Sequence, residues 1–194
     1  MIENALKLKN ASYKTIFTVK TVISAAIIAL AVILPQMAHF AVGAKAGVTL
    51  LPMYLPILLG SCLLGYKWGI VSAVLSPLTS FIITSLLNKS PMPTLERMPF
   101  MMAELAIFAL VSGLFYKKIQ NNAWFAFLAV ISAQIAGRAF FAASAFIFNG
   151  LVSFTPSMVL AQIKTGYIGL IIQAILVPLM VMGIKKLLDK NTQK

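Results

Sequence analysis

Apolar residues run along this chain in long stretches, separated by short segments that hold most of its charges and turn formers. A helix needs about 20 apolar residues to cross roughly 30 Å of hydrocarbon, so each stretch predicts a membrane span. Six emerge, at approximately Ile16–Met37, Val48–Leu64, Trp68–Leu87, Pro99–Tyr116, Ala123–Phe148 and Met158–Ile184. At that length they occupy roughly 120 residues and leave only short connections. Residues 1–194 therefore read as a single integral membrane domain, an all-α six-transmembrane-helix bundle. Its function has to lie in the bundle and its loops. The first run is too long for a cleaved signal peptide, and no small-residue cleavage pattern follows Pro35 and Gln36.

Two of these predictions carry local structure of their own. Pro52 and Pro56 sit four residues apart near the outer end of the second span and break its hydrogen-bond ladder. Leu50–Leu55 is then either irregular backbone lining a cavity or a kinked helix whose neighbours satisfy the freed carbonyls. Ala25 with Ala29, and Ala133 with Gly137, form small-x-x-x-small pairs that flatten a helix face so that another helix can approach. Each pair is a candidate partner surface.

Composition changes the picture chiefly by exclusion. Charged residues make up 10% of the chain, against about 25% in ordinary soluble domains, so the surface could not be kept wet. The formal charge of +12 would suggest nucleic acid in a soluble protein, but these charges lie between apolar runs. With the N-terminus inside, eleven lysines fall in cytoplasmic segments, and the outer loops hold Lys45, Lys89 and Arg97. That asymmetry puts both termini in the cytoplasm of a multi-pass plasma-membrane protein. One cysteine, Cys62, excludes an intrachain disulfide and a cysteine-based metal cluster. His39 is the only histidine and has no acidic or thiol neighbour at ligand spacing, so no metal is expected. There is no phosphate-binding loop, zinc-protease or serine-hydrolase signature, and the chain has four carboxylates in all. No enzyme and no cofactor are expected.

Three ionisable side chains fall inside spans, where a charge costs on the order of 3 kcal/mol or more unless paired or wet. At 1.5 Å per residue Glu104 lies about 7 Å, Lys164 about 9 Å and Arg138 about 15 Å below the outer edge. An arginine stem leaning outward brings its guanidinium several ångströms nearer the other two. Two readings stay open. In one, Glu104 pairs with Arg138 or Lys164 as a structural bridge, and the last cation reaches the interface. In the other, the three face a pocket open to the outside that receives a small polar or anionic solute. Gln134 shares a helix face with Arg138, and Tyr167 with Lys164; Asn149, Gln162 and Thr165 add possible neutral hydrogen bonds.

The strings Leu51-Pro-Met-Tyr-Leu-Pro-Ile-Leu-Leu-Gly60, Pro99-Phe-Met-Met-Ala-Glu-Leu105, Ser112-Gly-Leu-Phe-Tyr116 and Gly137-Arg138 resemble the substrate-binding S components of energy-coupling factor (ECF) vitamin transporters. Within that family they are similar to a branch containing pantothenate and related vitamin carriers, with Tyr54 where histidine is more usual. The resemblance implies a six-helix bundle with a vitamin pocket in its outer half. It implies a membrane coupling subunit and two cytoplasmic ATPases as partners, and a subunit that topples in the membrane to release substrate inside. Ala25 and Ala29 map onto the face that packs on the coupling subunit, and the lid loop maps onto His39–Gly47. The expected substrate-binding set is Glu104, Arg138, Lys164, Gln134, Tyr167, Asn149, Tyr54 and His39. The three charges sum to +1, which favours a monoanion such as pantothenate over neutral pyridoxine; cobalamin or another vitamin is an alternative. A structural or regulatory membrane subunit without a ligand is the reading from another class.

Overall fold

The computed structural model describes residues 11–42, 49–88, 95, 97–148 and 156–192. Among these the chain forms helices α1 (Tyr13–Val42), α2 (Tyr54–Leu64), α3 (Tyr66–Asn88), α4 (Met98–Leu114), α5 (Tyr116–Asn121), α6 (Phe125–Ile147) and α7 (Pro156–Thr192). Four of them, α1, α3, α6 and α7, are long and apolar enough to cross a bilayer; α2 and α4 are shorter apolar helices. The architecture is an all-α membrane bundle.

The prolines and glycines set the differences in length. Ahead of α2 the backbone turns at Leu51, whose φ of 48° lies in the left-handed region, and the Tyr54 amide closes the turn on the Leu51 carbonyl at 3.1 Å. The second apolar stretch is therefore irregular at its outer end, and only 11 residues, about 16 Å, continue as helix. Pro56 falls in the first turn of α2, where its missing amide would have had no helical partner. The fourth stretch divides as well. Helix α4 stops at Leu114, and α5 follows as a separate turn with Lys117 and Lys118 exposed and Ile119 buried. Helix α7 extends past its apolar stretch, so that Lys185 Nζ donates to the carbonyls of Ile119 and Asn121 at 3.5 and 3.1 Å.

Helix α2 stands in the middle. It packs against every other helix, while α1, α3, α4, α6 and α7 follow one another around it. Ten of its eleven residues are buried. Lipid is as apolar as leucine, so close packing and interhelical hydrogen bonds have to hold the helices together. Both are present. Ser24 of α1 and Ser72 of α3 share a hydrogen bond of 2.6 Å, as Ser61 of α2 and Ser112 of α4 do at 2.5 Å. Gly60 lies against Ile27, Gly69 against Ser61, Gly113 against the Tyr66 backbone, and Gly137 against the Phe108 ring. The Ala133–Gly137 pair is thus a contact inside the bundle rather than a surface for a partner. Large apolar side chains such as Phe17, Leu128, Ile131, Ile171 and Ile175 point outward, where hydrocarbon receives them.

Gly137→Leu forces a side chain into the Phe108 ring and is expected to separate α4 from α6. Overpacking of this kind costs about 1–3 kcal/mol, read as a lower thermal midpoint of the detergent-solubilised protein. An unchanged midpoint would contradict this account of the α4–α6 contact.

Candidate functional site

Three helices bring polar side chains together at one place in the apolar bundle. Glu104 comes from the middle of α4 and is 1% exposed, Tyr54 from the start of α2 at 3%, and Arg138 from α6 at 9%. The Tyr54 hydroxyl donates to Glu104 Oε2 at 2.6 Å. Arg138 Nη1 lies 3.1 Å from Glu104 Oε1 as an ion pair. The guanidinium carbon stands 5.3 Å from the centroid of the Tyr54 ring, within cation–π range. Phe108 supports that ring edge-on at 5.1 Å, and Gly137 gives Phe108 room to do so.

The local sequence explains the placement. Tyr54 opens α2 because the break at Leu51 ends one helical turn and starts another, so the phenol leaves the first residue of a buried helix. Glu104 lies on the buried stripe of α4 with Leu105, Phe108, Ser112 and Gly113. Arg138 shares the buried face of α6 with Gln134 and Phe141.

The donors and acceptors of this group are unequal. Glu104 Oε2 accepts from Tyr54, whereas Oε1 has only the Arg138 charge beside it and no hydrogen bond. The ion pair to Arg138 is not aligned as a hydrogen bond, and Nε, Nη1 and Nη2 of Arg138 are buried without a hydrogen-bond partner. A guanidinium carries five N–H donors in a planar fork matched to a carboxylate. The site therefore holds surplus donors in a place sealed from water. An acceptor group, preferably an anionic one, would satisfy them.

The other expected site residues are placed differently. Gln134 is buried one turn before Arg138, but its Nε2 donates to the Leu170 carbonyl of α7 at 2.9 Å. Lys164 and Tyr167 lie exposed on α7, as does Thr165. Of the two cations considered for Glu104, Arg138 makes the pair. The His39 side chain, the Gln162 side chain and Asn149 lie outside the described residues, as does most of the expected lid loop. Ala25 and Ala29 are exposed on α1. Sequence reasoning passed over Gln173 of α7, which is 1% exposed and donates to the Leu50 and Leu51 carbonyls. Its signal was a neutral amide inside an apolar run, facing a chain that also contains a proline-broken helix with carbonyls to satisfy.

Comparison with protein families matches residues 19–187 to the family described as ECF transporter, substrate-specific component. Neither the curated proteins nor the solved structures yield a match. The family match covers nearly all of the bundle, from α1 through the charged end of α7, including the three residues of the buried group. The chain belongs to the substrate-specific components of ECF transporters, non-catalytic multi-pass subunits of the cell membrane that bind a substrate and work with an energising module of a T component and ATPases.

Proposed function

We propose that this subunit captures a small monoanionic vitamin from outside the cell, pantothenate being the best-matched candidate, and that Arg138 receives its carboxylate. The observation that carries the reading is the buried guanidinium, whose three nitrogens have no hydrogen-bond partner although a carboxylate stands 3.1 Å away. With Lys164 outside the group, Glu104 and Arg138 sum to zero rather than the expected +1, so the preference for an anion rests on the spare N–H groups and not on net charge. Glu104 orients the guanidinium, and Tyr54 fixes Glu104 while offering its ring to the cation. Lys164 stays outside this group, on the exposed side of α7.

Coupling to the T component uses a different face. Ala25 and Ala29 present small exposed side chains one turn apart on α1, on the side away from Ile27, which packs into the core. Such a stripe admits a helix at close range without cost to the fold. Two cytoplasmic ATPases then supply the energy for inward release.

The substrate assignment is tested by mass spectrometry of small molecules released from the purified protein, followed by calorimetric titration with pantothenate. Arg138→Met should weaken pantothenate binding by about 30-fold or more, since truncating one member of a buried charge contact typically costs about 2–5 kcal/mol. Recovery of a neutral vitamin, or unchanged affinity in Arg138→Met, would overturn the anionic reading. Recovery of no small molecule and indifference to a panel of vitamins would favour a subunit without a ligand.

Ala25→Leu and Ala29→Leu should each abolish co-purification with the T component while leaving pantothenate affinity within about twofold, because distant sites act independently. Parallel loss of assembly and binding would contradict the assignment of that face.

A further inference from the structure

One turn of α7, Gly169 to Gln173, contacts the break three residues before Tyr54 and, through Leu170, the Gln134 amide one turn before Arg138. The Gln173 Nε2 donates to Leu51 O at 3.0 Å and to Leu50 O at 3.3 Å. The Leu51 oxygen also accepts the Tyr54 amide at 3.1 Å. A single carbonyl thus links Gln173 to the residue whose hydroxyl holds Glu104. Gly169, one turn earlier, lets α7 lie directly on the same break: a Cβ there would stand 2.5 Å from Leu50 O and 2.7 Å from Thr49 O. On the other side the Leu170 carbonyl accepts Gln134 Nε2 at 2.9 Å. Gln134 is one helical turn from Arg138, so it registers that helix against the same segment of α7.

The break needs such support. Leu51 is the one non-glycine residue with positive φ among the described residues. A branched side chain holds that conformation only where its surroundings over-determine it. Leu51 is 4% exposed and Gln173 is 1% exposed, so water does not provide the missing hydrogen bonds. The surroundings that fix Leu51 are the Gln173 amide, the Gly169 contact and the Tyr54 amide.

We propose that Gln173 is a positioning residue for substrate capture, holding the break ahead of α2 in the conformation that brings Tyr54 to Glu104, while Gln134 and Leu170 set Arg138 against the same turn of α7. The inference rests on the Tyr54, Glu104 and Arg138 group being the substrate site. It assigns no contact between Gln173 and the ligand. In the blander account the amide only satisfies the Leu50 and Leu51 carbonyls at the break, and its loss lowers stability without any particular effect on the site.

Gln173→Met and Val177→Ala separate the two accounts. Met approximates the length and volume of Gln173 and removes its donors. Val177, four residues and about one turn beyond Gln173 on α7, is 0% exposed, makes no polar contact of this kind, and serves as a control for lost stability. Both full-length variants are purified, their thermal midpoints measured, and hydrogen–deuterium exchange and pantothenate titration compared with the unsubstituted protein. In Gln173→Met the backbone amides between the two prolines and on either side of them, those of Leu51, Met53, Tyr54, Leu55 and Ile57, should exchange faster, and pantothenate affinity should fall about tenfold or more, as expected when a buried acceptor loses its donor. Discrimination between pantothenate and its neutral alcohol, panthenol, should narrow as well. Val177→Ala, at a similar loss of thermal midpoint, should show none of these changes. Unchanged exchange at those amides, or affinity that falls equally in the two variants, would overturn the proposal. If the unsubstituted protein binds no pantothenate, the substrate choice fails by itself, and the exchange comparison still decides whether Gln173 holds the break.

Discussion

The structure depends on keeping one ion pair inside an apolar bundle. A single unpaired charge at that depth costs several kcal/mol, and the penalty is offset only when a partner and good hydrogen bonds surround it. Glu104 and Arg138 come from α4 and α6, and their pairing constrains where those helices stand along and around each other. Tyr54 then has to reach Glu104 from α2, which fixes the height at which α2 begins. The break at Leu51, the shortness of α2 and the glycine under Phe108 all serve that requirement.

Packing carries this constraint outward. A helix surrounded on all sides, as α2 is, cannot hold its neighbours by the hydrophobic effect in lipid, and small residues let the backbones close in instead. The Ser61–Ser112 hydrogen bond and the Gly69–Ser61 contact place α2, α3 and α4 at short range. Further up, Gln173 donates to the Leu50 and Leu51 carbonyls where the helix is interrupted. Polar side chains in this bundle thus serve its packing: the Ser24–Ser72 and Ser61–Ser112 hydroxyl pairs and the Gln134 amide join helices, and the Gln173 amide supports the break ahead of α2.

Much of this was legible in the sequence, and the exceptions have physical reasons. The long apolar runs gave the helices, because hydrocarbon leaves the backbone no alternative to internal hydrogen bonding. Glu104 and Arg138 stood out because charges are costly in spans. Two prolines in the second stretch marked the break, although not its position at Leu51. Lys164 looked equivalent to Arg138 by depth alone, yet depth says nothing about which way a helix face turns, and Lys164 lies exposed. Tyr54 entered the expected set through the family resemblance alone, and Gln173, an uncharged residue that is ordinary in a span, shows its significance only in its tertiary contacts with Leu50 and Leu51. The same holds for Ala133 and Gly137, whose motif is indistinguishable in sequence from that of Ala25 and Ala29 until burial separates them.

A binding subunit has to discriminate strongly among small molecules, and apolar fit alone gives only modest ratios. Buried polar groups left without partners discriminate far better, because a ligand that cannot satisfy them leaves their desolvation penalty standing. Here the fold itself holds the Arg138 donors in place, through Glu104, Tyr54 and the amide contacts around α7, so the cost of desolvating them is met before any ligand arrives. An acceptor of the right shape then gains the full strength of a charge-assisted contact in a low-dielectric setting. A neutral or misplaced group gains little. The ion pair that organises the bundle and the surplus donors that would select the ligand are therefore two consequences of one arginine held between a carboxylate and a phenol.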